Sequence, residues 1–308
     1  MGYRYKLSCL LISALLMSSL QAQNAPPELQ VGALTDNIHV IAGAGGNIAV
    51  FTGADGVFVI DAGMPHVVDP VAAAISTITA APVRMIFNTH WHFDHAGGNK
   101  HFAANGTLII AHNNVRKRMS TAQFSKLFNS ETKPSPYTAL PVVTFDNTVT
   151  FHLNGETVVA THIPNAHTDG DAILQFSEAN VTHLGDLFFN GRYPVIDISG
   201  GGSIEGMIAA VDTVLPMLNA DTKIIPGHGP QATIVELRAY QDMLSTVVRR
   251  VLILMEEGRS ADEIVAKRPS INFDEQWAWD FMPADRWIRI VYDSLVNEAA
   301  KAAANQSE

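Results

Sequence analysis

The chain has 308 residues, 47% of them apolar, enough to bury a full core in one large domain or two small ones. With 30 acidic and 20 basic residues its formal charge is −10, which disfavours nucleic-acid partners, because that affinity rests on basic patches that neutralise phosphates. A single cysteine, Cys9, excludes a disulfide framework.

Arg4 and Lys6 precede the apolar run 7–20, and the small residue Ala22 follows it. This is the pattern of a secretory signal peptide over residues 1–22, too short for a permanent span, with cleavage expected after Ala22. The mature protein should then carry no thiol and reach the periplasm or the exterior. No later stretch is long and apolar enough to cross a membrane, so none is expected to hold the processed chain there.

From residue 38 onward, short β-rich runs at 38–42, 48–52 and 57–61 are separated by glycine clusters and read as a meander. The pattern turns helical over 67–79. A buried strand over 83–87 then delivers its end into His90. A helix at 98–104, a strand at 107–111 and a helix from 113 to about 124 follow. Segment 125–141 holds Pro134, Pro136 and Pro141 and suits either a mobile loop over a cleft or a plain surface connection. Arg116, Lys117 and Arg118 read as a solvated helix face. Strands return at 142–151, 157–162, 172–177 and 181–184, then a helix at 203–218 and a strand at 222–225. Beyond residue 231 the periodicity is helical, at 235–255, 261–266 and 285–302, with Ser260 and Glu263 giving a helix-start signal. The expected organisation is a body over 23–230 and a helical extension over 231–308 packed against it. Strands mixed with helices in the body point to an α/β layered sandwich.

The run Thr89-His90-Trp91-His92-Phe93-Asp94-His95 places three imidazoles and a carboxylate on one short segment just past a strand end. These are ligands that a borderline divalent cation accepts without cysteine. One run cannot close two coordination spheres, and His167, Asp186 and His228, each in a turn-like context, are the candidates to complete them. Trp91 and Phe93 are expected to pack behind the loop. The other histidines, His39, His66, His101, His112, His152, His162 and His183, take ordinary surface or core readings.

The ordered set His90-x-His92-x-Asp94-His95, His167, Asp186 and His228 resembles the metallo-β-lactamase superfamily. Asp61 with Gly63, Gly97-Gly98-Asn99, Gly185-Asp186 and Gly227-His228-Gly229 carry the resemblance over roughly residues 30–230. It implies a four-layered αβ/βα sandwich with a metal centre at one edge of two β-sheets. It also implies that His90, His92 and His167 hold one Zn²⁺, that Asp94, His95 and His228 hold a second, and that Asp186 bridges them. Iron and manganese accept the same donors. A hydroxide shared by the two ions would attack a substrate carbonyl, with Asp94 orienting it and passing a proton to the leaving group. Asp61 would support a ligand rather than bind metal.

The expected function is an exported di-zinc hydrolase that opens a cyclic amide or ester, a β-lactam or a lactone, in a small-molecule substrate. One class of true β-lactamases carries cysteine at the Asp186 position and a lysine three residues later, where this chain has Phe189; Arg192 could supply a replacement charge. The alternatives are a thioester hydrolase resembling hydroxyacylglutathione hydrolase, with Arg249, Arg250, Arg286 and Arg289 as glutathione-holding candidates, and a non-catalytic periplasmic metal-binding protein.

Overall fold

A computed structural model describes residues 28–127 and 129–305. The expected leader, residues 1–22 with Cys9, lies outside the described residues. Seven strands form the first sheet: β1 (Gln30–Ala33), β2 (Ile38–Ala42), β3 (Ile48–Phe51), β4 (Val57–Ile60), β5 (Val83–Asn88), β6 (Leu108–His112) and β9 (Val143–Phe145). The first four make the antiparallel meander; β4, β5, β6 and β9 run parallel. The second sheet holds β10 (Thr148–Leu153), β11 (Glu156–His162), β12 (Ala172–Phe176), β13 (Val181–Phe189) and β14 (Lys223–His228), antiparallel except for the β13–β14 pair.

The residues explain the layering. β3 and β4 are buried on both faces, as their unbroken apolar runs require of strands covered on each side. Phe51 and Phe58 of the first sheet meet Leu174 and Phe176 of the second in a shared core, where Phe51 and Phe176 lie edge to face with centroids 5.3 Å apart. Val71 and Ile75 of α1 (Val68–Ile78) and Phe102 of α3 (Asn99–Ala104) cover the outer face of the first sheet. On the outside of the second sheet lie α5 (Ile204–Val214), α6 (Ile234–Glu256) and α9 (Ala284–Asn305). The result is the expected αβ/βα sandwich with helices at the carboxyl end. Among the described residues no helix is long and apolar enough to cross a membrane.

The carboxyl-terminal helices, which include α7 (Ala261–Ala266) and α8 (Asp274–Trp277), share the second sheet's outer core. Ser260 and Glu263 form the expected capping box of α7. Trp287 of α9 is fully buried and stacks on Tyr193, centroids 4.1 Å apart and planes within 9°. Tyr193 N–H donates to Trp277 O at 2.6 Å, and its hydroxyl donates to Asp274 at 2.8 Å, so the tail is stitched to the segment that follows β13.

Four local expectations need correction. The strand read over 142–151 is two strands, β9 and β10, and the chain passes from one sheet to the other at Asp146 and Asn147. Alternation alone looks the same in either sheet. The helix begun at residue 113, α4 (Asn113–Met119), stops early because the Ser120 and Thr121 hydroxyls each donate to Lys117 O at 3.0 Å, competing with the backbone. The chain then forms a hairpin of β7 (Gln123–Ser125) and β8 (Ser130–Thr132), so 125–141 is partly ordered strand. The basic cluster is not a uniformly solvated face: Lys117 is exposed, while Arg118 forks onto Asp169, with Nη2 2.7 Å from Oδ2.

Replacing Trp287 with alanine should lower unfolding stability by about 3–5 kcal/mol, read as a reduced denaturation midpoint. An unchanged midpoint would show that α9 contributes nothing to the common core.

Candidate metal centre

The centre is built from strand ends and turns of both sheets. β5 ends at Asn88, and the following loop carries His90 and His92 into α2 (Phe93–Ala96), which presents Asp94 and His95. His167 comes from the turn between β11 and β12. Asp186 sits inside β13 rather than in a turn, beside a register shift at Gly185, and His228 closes β14. All seven expected ligand residues converge. Ligand atoms of His90, His92 and His167, of His90, His95 and Asp186, and of Asp94, His95 and His228 form three groups, each within 4.8 Å. Asp186 lies between them, its Oδ2 3.4 Å from His167 Nε2 and 3.3 Å from His228 Nε2, its Oδ1 3.1 Å from His95 Nε2.

The outer nitrogens of His90, His92, His95 and His167 each have a partner that aims the inner one. Asp61 Oδ2 accepts from His95 Nδ1 at 2.7 Å, and Thr89 donates to the same carboxylate from both its amide and its hydroxyl at 2.8 Å. Asp61 thus contacts a candidate ligand from behind, the place expected of a supporting residue. Val195 O takes the Nδ1 proton of His167 at 2.8 Å, Asp197 lies 3.0 Å from His92 Nε2, and the Thr89 hydroxyl is 3.1 Å from His90 Nδ1. These contacts leave Nε2 of His90, His95 and His167, and Nδ1 of His92, turned inward.

This arrangement calls for positive charge at its middle. His92 Nδ1 and His167 Nε2 face each other at 2.8 Å, so two lone pairs would oppose unless a proton or a metal ion stood between them. His90 Nε2 and Asp186 Oδ1 are buried without a hydrogen-bond partner. Burial lowers the pKa of His167 to about 4 and holds that of His90 well below its ordinary value, keeping both neutral as ligands must be. Burial opposes a charge on His92 and His228 too, but Asp197 outweighs it at His92, and Asp186 with Asp94 lifts His228 to about 9. An imidazole and carboxylate set of this kind fits a divalent cation.

Sequence reasoning missed Asp197 and the purpose of Gly200-Gly201-Gly202. Gly200 N–H donates to Asp197 Oδ1 at 2.9 Å, and a Cβ there would strike that carboxylate; one on Gly202 would strike His167 O. The glycine cluster was visible, but nothing in the sequence around Asp197 marks it. Gly227 is similarly constrained, since a Cβ would collide with Asp186 Oδ1.

A cavity of about 580 Å³ opens over the centre. Asp94, His167, Asp186 and His228 are among its lining, with Met64, Met119, Leu127 and Phe189 as apolar wall. Trp91 and Phe93 also line it; Trp91 packs against the cluster of Ala96, Val115 and Leu140 as expected, whereas Phe93 is exposed. Segment 125–141 lines it through Ser125, Thr132, Lys133 and Pro136, which favours the cleft-covering alternative for that segment. Phe189 stacks on His228, centroids 4.9 Å apart and planes within 16°. Of the histidines read as ordinary, His183 contacts Asn47 O at 3.3 Å, and His112 stacks on His162 at 3.6 Å.

Exchanging Asp61 for asparagine should weaken metal affinity about 10–100-fold while the fold persists, measured by titration against a competing chelator. Unaltered affinity would remove Asp61 from the centre.

The family model of the metallo-beta-lactamase superfamily matches residues 42–239. No curated protein sequence matches the chain. Among solved structures, the stereoselective inverting sec-alkylsulfatase Pisa1 from Pseudomonas sp. is 16% identical with a TM-score of 0.65, over 86% of this chain and 50% of the sulfatase chain. This chain therefore spans about half the length of that relative. A metallo-beta-lactamase from Pontibacter korlensis is 17% identical with a TM-score of 0.58, over 71% of this chain and 99% of its own. The DIM-1 metallo-beta-lactamase is 16% identical, with a TM-score of 0.58, over 71% and 98%. At these identities the likeness is one of fold. The extent of the family match, together with the convergence of its histidines and aspartates, makes this chain a member of the metallo-β-lactamase superfamily, with the metal-dependent hydrolase architecture of that family.

Proposed function

We infer that the protein is an exported hydrolase that uses two zinc ions to open a cyclic amide or ester, a β-lactam or a lactone. The observation that carries this reading is the place of Asp186, whose carboxylate stands between two ligand sets at the foot of one cavity. His90, His92 and His167 would hold one ion; Asp94, His95 and His228 would hold the other, with Asp186 serving both. Two such cations acidify water enough to make a nucleophile at neutral pH and polarise the carbonyl under attack.

The side chains supply orientation and proton handling. Burial favours a neutral Asp94, but His95 and His228 overcome it and hold the carboxyl well below its usual range. As an ionised acceptor with Oδ2 3.3 Å from His228 Nε2, Asp94 can take a proton from the attacking water and return it to the departing nitrogen or oxygen.

A second reading, hydrolysis of an alkyl sulfate ester, draws on the alkylsulfatase likeness and on the same apolar wall. The thioester reading loses its support in the tail. Arg289 pairs with Asp262, Arg250 donates to Pro269 O, Arg286 donates to Phe281 O and Leu127 O, and neither these three nor Arg249 is among the cavity-lining residues.

A hydrolysis screen of zinc-loaded protein over β-lactams, lactones, thioesters and alkyl sulfates tests these readings. The expected result is turnover of a lactam or lactone that a chelator abolishes and zinc restores. Absence of turnover on both ring-opening panels overturns the reading, and turnover confined to sulfates transfers it to the second. On the best substrate, Asp94→Asn at saturating zinc should lower kcat by about 10²–10⁴-fold. Full activity in that variant, with normal metal content, would take Asp94 out of the chemistry.

A further inference from the structure

The cavity has a wall that comes from beyond the family match. Trp279 and Phe281, on the segment between α8 and α9, line the same space as Asp186 and His228. Both are only partly buried, and both are held in place. Trp279 Nε1 donates to Tyr193 O at 3.0 Å, its backbone pairs with Met282, and its ring lies 5.2 Å from that of Phe281. The Arg286 guanidinium sits 4.8 Å from the Phe281 ring centroid and donates to Phe281 O at 2.8 Å.

Arg192 completes the wall. Its guanidinium lies 5.0 Å from the Trp279 ring centroid, and its amide donates to Phe189 O, the residue whose ring stacks on His228. Arg192 lines the cavity and is half-buried, yet among the described residues no carboxylate lies within ion-pair distance of it. By contrast Arg118, the other arginine on the cavity wall, is committed to Asp169. A permanent cation held over an indole and lacking a counter-ion has its donors available to an anionic ligand.

We propose that Arg192, Trp279 and Phe281 form a subsite for an amphiphilic anion, with Arg192 taking the anionic group and the two rings taking an adjoining apolar group. The preferred substrate of the hydrolase then carries a negative group and a bulky apolar group beside the bond that breaks. This deepens the reading of the metal centre as hydrolytic and rests on it for the word substrate; the binding site itself does not. Carboxylate and sulfate share the chemistry that Arg192 recognises, and the two probes below separate them.

The test is binding, which needs no turnover. Octanoate, octyl sulfate and neutral octanol are titrated below their micelle concentrations into zinc-loaded and chelator-stripped protein, with heat or tryptophan fluorescence as the readout. Both anions should bind more tightly than octanol, and Arg192→Gln should remove that preference, weakening the anions by about tenfold or more while leaving octanol unchanged. Trp279→Ala or Phe281→Ala should weaken all three probes. An anion preference that survives Arg192→Gln but disappears with the metal would overturn the proposal by putting the anion on the metal ions. Equal binding of anions and alcohol in the unaltered protein would overturn it as well. If the hydrolysis screen fails while this selectivity holds, the hydrolase reading falls and the subsite stands. Arg192→Lys, which keeps the charge, should keep part of the preference.

Discussion

The inward nitrogens of His92 and His167 face each other at 2.8 Å, and neither neutral ring can donate to the other while the outer nitrogens serve Asp197 and Val195. The chain holds these lone pairs together against their repulsion, beside the buried carboxylates of Asp61 and Asp186. Such a knot of donors is stable only with positive charge inside it, whether protons on the imidazoles or a metal ion in their place. Its surroundings are shaped accordingly. Strands and turns from two sheets supply the ligands, glycines at 200, 202 and 227 leave room where any side chain would intrude, and fixed partners choose the tautomer of His90, His92, His95 and His167.

Because the ligands come from both sheets, ion binding and sheet packing reinforce one another. His90, His92, Asp94 and His95 follow the end of β5 in the first sheet; Asp186 and His228 belong to strands of the second. An ion bound only by the folded arrangement stabilises the sandwich by mass action, and the sandwich in turn keeps the donors spaced for the ion.

Much of this was legible in the sequence, for identifiable reasons. Metal-binding residue types are chemically narrow, so His90, His92, Asp94 and His95 stand out without any structural knowledge, and His167, Asp186 and His228 complete a set whose order carries the family resemblance. The layered α/β architecture followed from β-rich runs alternating with helical periods. What failed was local: the passage between sheets at Asp146 and Asn147 is hidden because alternation is identical on either side of it, and the end of α4 depends on two hydroxyls turning onto Lys117 O. Asp197 was missed because its role comes from proximity to His92 across a long loop, and such proximity leaves no spacing rule to read. Phe93 is exposed but was read as packing, since an aromatic residue beside a buried ligand carries no sign of which way it faces.

The stitch between Tyr193 and the segment at Trp277 and Trp279 has a broader meaning. Residues 42–239 match the superfamily and contain every candidate ligand, whereas Trp279 and Phe281 lie outside that span and still border the cavity above the ligands. The wall above the ligands is thus shared between the matched span, which supplies Arg192, and the tail, which supplies Trp279 and Phe281. Residues of the tail can therefore alter the outline of the cavity without any change among the histidines and aspartates beneath it.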